Sequence, residues 1–222
     1  MFKVVLVTDS LSLPRAIPEQ CMYEQTYPHL LRKFFHKEVE FIHIGRGGYT
    51  IKQLWYQEIT YWKNATVDLV FLQSGIVDCA PRTLKKLELS ILLRIPFLLK
   101  IIQKNAALIR KIRKLRYLSV EEYRKILELF KEFYGDRLYF IEIIKPSLKY
   151  EKDVPGIIES VTQYNAVAKN IGLHVLSTDE FSENDMMSDF HHLNSSGHYK
   201  IFENIKLAIE AMMMNREDIS NN

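Results

Sequence analysis

Strand-length apolar runs alternate with helical segments along this chain, and the alternation limits the folds open to it. The runs predicted to be strands are Val4–Thr8, Val39–Ile44, Val67–Gln73, Leu138–Ile144 and Leu173–Leu176. The segments predicted to be helices are Tyr27–Lys37, Ile51–Trp62, Val120–Tyr134, Gly156–Asn170 and Ser195–Met213. Such an order favours a parallel sheet with right-handed crossovers. We therefore expect a three-layer α/β/α sandwich with a mostly parallel five-stranded sheet, flavodoxin-like in its strand count.

The bulk properties suit one globular domain. The chain has 222 residues, of which 47% are hydrophobic, and we predict a single domain over residues 1–215 with a frayed tail at 216–222. The first apolar run is only a strand long and is not preceded by a cationic segment, which is atypical of a secretory leader. The two cysteines, Cys21 and Cys79, lack metal-ligand spacing. Reduced thiols and a cytoplasmic location are expected.

The first apolar run stops abruptly at Asp9-Ser10. In open α/β sheets, ligands bind outside the carboxyl ends of the strands, so Ser10 is placed to act as a nucleophile. A second interpretation is that Ser10 only caps the segment that follows, since Ser is a preferred N-cap residue. This stretch alone does not decide between them.

A second polar cluster follows the fifth predicted strand, where Asp189 lies three residues before His192. A loop with this D-x-x-H spacing can present both side chains at one place. The carboxylate would then orient the imidazole, and the imidazole could take a proton from a hydroxyl. With Ser10, the chain holds a candidate nucleophile, base and orienting acid, although it lacks the G-x-S-x-G pattern of nucleophile-elbow hydrolases.

Four blocks in the right order give the chain a resemblance to the SGNH (GDSL) hydrolase superfamily. Thr8-Asp9-Ser10-Leu11-Ser12 is similar to the first block, G-D-S-L-S. The second and third blocks correspond to residues 45–50 (GRGGYT) and 75–78 (GIVD). Residues 189–194 (DFHHLN) match the last block, D-x-x-H-x-N. The resemblance spans the whole chain and implies the SGNH hydrolase fold.

The resemblance implies a role for individual residues. Ser10 corresponds to the nucleophile, and the register of the last block assigns the catalytic pair to Asp189 and His192 rather than to His191. The backbone N–H groups of Ser10 and Gly48 correspond to oxyanion-hole donors. The sequence departs from the pattern at Val77, where the family has an Asn, because Val has no hydrogen-bond donor. The candidates to supply the missing oxyanion-hole donor are Gln73, Arg82 and the backbone N–H groups near Asp78.

Three arginines follow the ends of the first three predicted strands, namely Arg15, Arg46 and Arg82. Because these ends meet at one edge of the sheet, the guanidinium groups could bind an anionic part of a substrate, such as a carboxylate or phosphate on a sugar. Asp78 is a further candidate for substrate binding. The alternative is that the arginines are solvated or paired with acids such as Asp78 or Glu19.

Positive charge is concentrated in one part of the chain. Residues 82–116 contain eleven Lys and Arg against the single acid Glu88, a net charge of +10, whereas the rest has 19 bases and 26 acids, a net −7. We predict a basic helical insertion at about 84–118. It could be a crossover with a solvated basic face, a lid beside the site, or a surface for peripheral contact with anionic lipid on the inner face of a membrane. No nucleic-acid-binding module is recognised.

The sequence thus predicts a serine-dependent esterase that acts on an acylated carbohydrate or glycan intermediate through an acyl-enzyme. One alternative is an O-acyltransferase that modifies a surface polysaccharide with the same triad. Another is a catalytically weakened glycan-binding protein, which the replacement at Val77 suggests. No metal or cofactor is expected, because neither metal-ligand spacing nor a phosphate-binding loop is found. The oligomeric state is not predicted.

Overall fold

The computed structural model describes residues 1–220, except for the side chains of 86 and 217–220. The strands are β1 (Phe2–Thr8), β2 (Val39–Gly45), β3 (Leu69–Gln73), β4 (Leu138–Ile141) and β5 (His174–Leu176). The helices are α1 (Tyr27–Phe35), α2 (51–62, with a π-helical middle at Leu54–Ile59), α3 (Ile76–Cys79), α4 (Lys86–Leu92), α5 (Pro96–Lys104), α6 (Ala106–Arg113), α7 (Val120–Tyr134), α8 (Leu148–Asp153), α9 (Ile157–Asn170) and α10 (Ser195–Ser220).

The five strands form one sheet in the order β2-β1-β3-β4-β5, and every pairing is parallel. The predicted α/β/α fold is therefore confirmed, with a sheet that is wholly rather than mostly parallel. The chain moves one way from β1 to β2 and the other way afterwards, so right-handed crossovers place α1 and the later crossover helices on opposite faces. On one face α1 packs against α10, and on the other α7 packs against α9.

The central strands form the core. Val4–Val7 of β1 and Leu69–Leu72 of β3 are at most 1% exposed, because both faces of a doubly covered parallel sheet are removed from water. The register pairs Thr8 with Gly45 on one side and with Gln73 on the other. The carboxyl ends of β1, β2 and β3 are therefore level, and the three loops that follow them start side by side.

The basic insertion folds into the three short helices α4, α5 and α6. No described side chain of Pro96–Lys104 or Ala106–Arg113 is buried. No helix among residues 1–220 has the length and apolar character needed to cross a membrane.

The last helix extends to Ser220, beyond the predicted end at Met213, so residues 216–220 of the predicted frayed tail are helical. Residues 221 and 222 of that tail lie outside the described part of the chain.

Candidate active site

Ser10 lies immediately beyond the carboxyl end of β1. The chain turns there into a 3₁₀ turn, Ser10–Ser12, whose N-cap is Asp9: its Oδ1 accepts a hydrogen bond of 3.0 Å from the N–H of Leu11. Asp9 is fully buried, and burial raises its pKa to about 7, against the opposing effects of the Leu11 and Gly75 N–H groups and of Arg15. The cap of this turn is therefore Asp9, while the Ser10 hydroxyl points to His192.

Ser10, His192 and Asp189 form a continuous hydrogen-bonded chain. The distance from Ser10 Oγ to His192 Nε2 is 3.1 Å, and that from His192 Nδ1 to Asp189 Oδ2 is 2.6 Å. Asp189 Oδ1 also accepts the His192 N–H at 3.0 Å. Partial burial opposes ionisation of Asp189, but the hydrogen bonds from His192 and the electrostatic interaction with His191 hold its pKa well below the usual range. An ionised Asp189 fixes the Nδ1–H tautomer and leaves Nε2 to accept the Ser10 proton.

The loop that carries Asp189 and His192 is fixed from both sides. The Met187 N–H donates to the carbonyl of His192 at 2.7 Å. Asn194, the last residue of the D-x-x-H-x-N block, accepts the N–H of Gly197 on Oδ1 and donates through Nδ2 to the carbonyls of Asn184 and Met186. Asn194 thus caps α10 and ties its start to the preceding loop, which keeps His192 in place.

Two further histidines, His191 and His198, are hydrogen-bonded to other groups. Nδ1 of His191 donates to the Asp189 carbonyl at 2.9 Å, and its ring stacks on Tyr150 with centroids 5.7 Å apart. Burial and the neighbouring His192 lower the pKa of His191. His198 is 1% exposed, accepts the Tyr27 N–H on Nδ1, and has its pKa lowered to about 4 by burial. Of the three, His192 is the one hydrogen-bonded to Ser10.

The oxyanion region lies in a cleft of about 560 Å³ that Ser10 and His192 share with Gly48 and Val77. Gly48 has a φ of +73°, a conformation that side chains rarely adopt, which explains a glycine there. The side chain of Val77 offers no donor, although its carbonyl accepts a hydrogen bond of 2.9 Å from Nη2 of Arg82. Gln73 is buried outside the cleft lining, and its Oε1 accepts the Tyr27 hydroxyl.

The arginines singled out in the sequence separate into two groups. Arg15 and Arg82 line the cleft. Arg46 does not, because its exposed guanidinium makes a bidentate ion pair with Glu58 of α2. Asp78 also lies outside the lining: it is fully buried, accepts the N–H of Ile51 at 3.0 Å, and has its pKa raised well above the usual value by burial.

Arg110 of α6 is a cleft residue that the sequence reasoning missed. Its Nη1 donates to the carbonyl of Asp153 in α8 at 2.7 Å. This hydrogen bond links α6 of the basic insertion to α8 beside the site. The signal available in the sequence was the excess of positive charge at 82–116, which does not single out one residue.

Asp189, His191 and His192 are also the described group with metal-ligand spacing, since each offers a ligand atom within 4.8 Å of the others. Both nitrogens of His192 are already used, Nδ1 by Asp189 and Nε2 by Ser10 and the guanidinium of Arg15. Nδ1 of His191 is used by the Asp189 carbonyl. Hydrogen bonding thus accounts for this cluster, and the arrangement fits proton transfer from the serine better than metal binding.

The likeness of the chain to known proteins lies in its fold. No profile of a known protein family matches the sequence, and no curated protein resembles it closely enough to count as a relative. Among solved structures, a lipase/acylhydrolase from Enterococcus faecalis is 18% identical, with a TM-score of 0.62 over 95% of this chain and 96% of that one.

Two further structures share the fold. A member of the lipolytic protein G-D-S-L family from Veillonella parvula is 14% identical, with a TM-score of 0.57 over 92% of this chain and 96% of that one. A carbohydrate acetylesterase family member from Sinorhizobium meliloti is 12% identical, with a TM-score of 0.60 over 96% and 99%. The chain therefore has the fold of the SGNH hydrolases along nearly its whole length.

Proposed function

We propose that this protein is a serine-dependent acyl-ester hydrolase in which Ser10 is the nucleophile, His192 the general base and Asp189 the acid that orients His192. The observation that carries the proposal is the hydrogen-bonded chain from Ser10 Oγ through both nitrogens of His192 to Asp189 Oδ2, with distances of 3.1 and 2.6 Å. Structures of the same fold that are described as acylhydrolases and acetylesterases support it.

The proposed reaction uses these three residues in two steps. Ser10 Oγ attacks the ester carbonyl while Nε2 of His192 takes its proton, and the N–H groups of Ser10 and Gly48 stabilise the oxyanion. His192 then returns the proton to the leaving alcohol, and an ester between the acyl group and Ser10 remains. Water attacks that ester with His192 again as base, which releases the carboxylic acid and restores Ser10.

As substrate we propose an acylated carbohydrate. The cleft of about 560 Å³ is open and lined by both polar and apolar residues, which suits a sugar ester. One structure with this fold is described as a carbohydrate acetylesterase family member. A sugar hydroxyl that reaches the acyl-enzyme in place of water would turn the same triad to acyl transfer.

Labelling with a fluorophosphonate probe tests the proposal, together with turnover of 4-nitrophenyl acetate. The protein is expected to be labelled at Ser10 and to release 4-nitrophenol over many turnovers, and Ser10→Ala is expected to do neither. Ser12→Ala is a matched control, because Ser12 lies in the same turn but bonds to Thr8 and His43. Absence of labelling in the wild type would overturn the proposal. Release stimulated by an added sugar, with formation of the acylated sugar, would indicate transfer.

We also propose that the basic insertion contacts an anionic membrane surface. Large apolar side chains are exposed there beside lysines and arginines: Leu87, Leu93, Phe97 and Ile112 are 62–72% exposed. Apolar side chains interspersed with cations are typical of helices that lie at the surface of anionic bilayers. Sedimentation with lipid vesicles tests this contact.

A further inference from the structure

The strongest unexplained feature of the cleft is its positive charge. Three guanidinium groups, those of Arg15, Arg82 and Arg110, line it together with Ser10. Among the described lining residues the only acid is Asp189, whose carboxylate is already bound by His192.

The described hydrogen bonds of the Arg82 and Arg110 guanidinium groups go to neutral acceptors. Arg82 donates to the Val77 carbonyl, and its guanidinium lies 4.6 Å from the centre of the Tyr117 ring. Arg110 donates to the Asp153 carbonyl. Among the described side chains, no ion pair joins Arg15, Arg82 or Arg110 to a carboxylate, although other arginines form such pairs.

The Nε atoms of these three arginines are buried and have no hydrogen-bond acceptor among the described residues. Burial of an unpaired cationic donor is unfavourable, and the cost is recovered when an anion accepts its hydrogen bonds. Burial and the nearby charge of Arg82 lower the pKa of Arg110. An anionic ligand could therefore accept hydrogen bonds from Nε atoms that no described residue accepts.

The position of the cluster relates it to the reaction. Nη2 of Arg15 contacts Nε2 of His192, the same nitrogen that faces Ser10 Oγ. An anion bound by Arg15 would therefore lie next to the ester carbonyl that Ser10 attacks.

We propose that Arg15, Arg82 and Arg110 form a subsite for an anionic group of the substrate, so that the esters hydrolysed carry a carboxylate or a phosphate near the acyl group. This inference rests on the proposed ester hydrolysis and narrows its substrate class. The sequence predicted Arg15, Arg46 and Arg82 as the anion-binding arginines. In the proposed subsite Arg110 takes the place of Arg46, because Arg46 is paired with Glu58 and Arg110 lines the cleft.

Three aryl acetates of similar size test the subsite: phenyl acetate, 4-acetoxybenzoate and 4-acetoxyphenyl phosphate. The measured quantity is the ratio of kcat/KM for each anionic ester to kcat/KM for phenyl acetate. Arg82→Gln and Arg110→Gln are each expected to lower that ratio at least about tenfold, since hydrogen bonds to charged groups contribute about 1.5–3 kcal/mol. The anionic ester with the larger wild-type ratio identifies the preferred anion.

Two controls separate charge from fold. Arg46→Gln removes an arginine outside the cleft and is expected to leave the ratio within twofold. Arg110→Lys keeps the charge and is expected to retain part of the ratio that Arg110→Gln loses. Equal ratios in the wild type, Arg82→Gln and Arg110→Gln would overturn the subsite.

Binding of inorganic phosphate gives a readout independent of catalysis. Calorimetry is expected to detect phosphate binding to Ser10→Ala, and at least about tenfold weaker binding when Arg82→Gln or Arg110→Gln is added. Phosphate binding without turnover of any ester would support the subsite and contradict the hydrolase. Ester turnover with no phosphate binding and no preference for anionic esters would do the reverse.

Discussion

His192 is buried and the adjacent His191 is partly exposed, and activity measurements distinguish their roles. His192 bonds to Ser10, whereas His191 bonds to the Asp189 carbonyl and stacks on Tyr150. General acid–base catalysis contributes about 10²–10⁴-fold to a rate. We expect His192→Gln to lower kcat for 4-nitrophenyl acetate by that amount and His191→Gln to lower it less than about tenfold. A larger loss in His191→Gln than in His192→Gln would contradict the assignment.

Val77 occupies the position where the resemblance to the SGNH hydrolases implies an Asn, and its side chain cannot donate a hydrogen bond to an oxyanion. Removing one oxyanion donor from an enzyme typically costs about 10²–10³-fold in kcat. If the site lacks such a donor, Val77→Asn supplies an N–H and is expected to raise kcat for a neutral ester about tenfold or more. Val77→Ala adds no donor and serves as the control. An unchanged kcat in Val77→Asn would mean that Arg15 or Arg82 already fills this role.

Burial of His198 predicts a dependence of stability on pH. Its pKa is lowered to about 4 in the fold, against about 6.5 in the unfolded chain. Between these two pH values the unfolded state binds more protons than the folded state. The contribution of His198 to the free energy of unfolding is therefore complete above pH 6.5 and is lost as the pH falls towards 4. The loss is on the order of 3 kcal/mol.

Thermal unfolding of His198→Gln isolates this contribution. The difference in Tm between the wild type and His198→Gln is expected to shrink as the pH is lowered from 7 to 4.5. A difference that does not change with pH in His198→Gln would refute the link to burial.

At the scale of elements, the start of α10 positions the loop that carries His192. A Cβ at Gly197 would lie 2.2 Å from the carbonyl oxygen of Asp185, a backbone atom that cannot rotate away. Gly to Ala within a helix normally stabilises by about 1 kcal/mol. Here Gly197→Ala is expected to destabilise by about 1–3 kcal/mol through overpacking, as measured by urea unfolding. Gly47→Ala, with no atom nearer than 3.8 Å, is expected to have little effect.

The elements also show which parts of the site were accessible from the sequence. Ser10 and the Asp189–His192 pair lie at strand and helix ends, where local patterns made them candidates, and the resemblance to the SGNH hydrolases implied their roles. Local patterns could not predict that Arg110 lines the cleft and that Arg46 does not. Whether each reaches the cleft depends on tertiary partners, Glu58 for the first and the Asp153 carbonyl for the second. Side-chain pairing between distant elements has no periodic signature.

At the scale of the whole molecule, the fold places a strongly basic, apolar insertion beside the cleft of an otherwise acidic body. Arg94, Lys100, Lys104 and Lys111 are exposed in the same three-helix insertion as Phe97. Arg110 of that insertion lines the cleft. If the insertion lies on a membrane, the mouth of the cleft is close to the lipid surface.

Vesicle sedimentation tests that arrangement at the level of the intact protein. We expect binding to vesicles that contain phosphatidylglycerol, little binding to phosphatidylcholine alone, and weaker binding as salt screens the charges. Burying one large apolar side chain contributes about 1.5–3 kcal/mol, so Phe97→Ser is expected to weaken partitioning about tenfold or more. Tyr61→Ser, which alters a side chain that is 83% exposed but outside the insertion, is expected to bind as the wild type does. Equal binding to both lipids, or by Phe97→Ser and wild type, would show that the insertion does not contact anionic membranes.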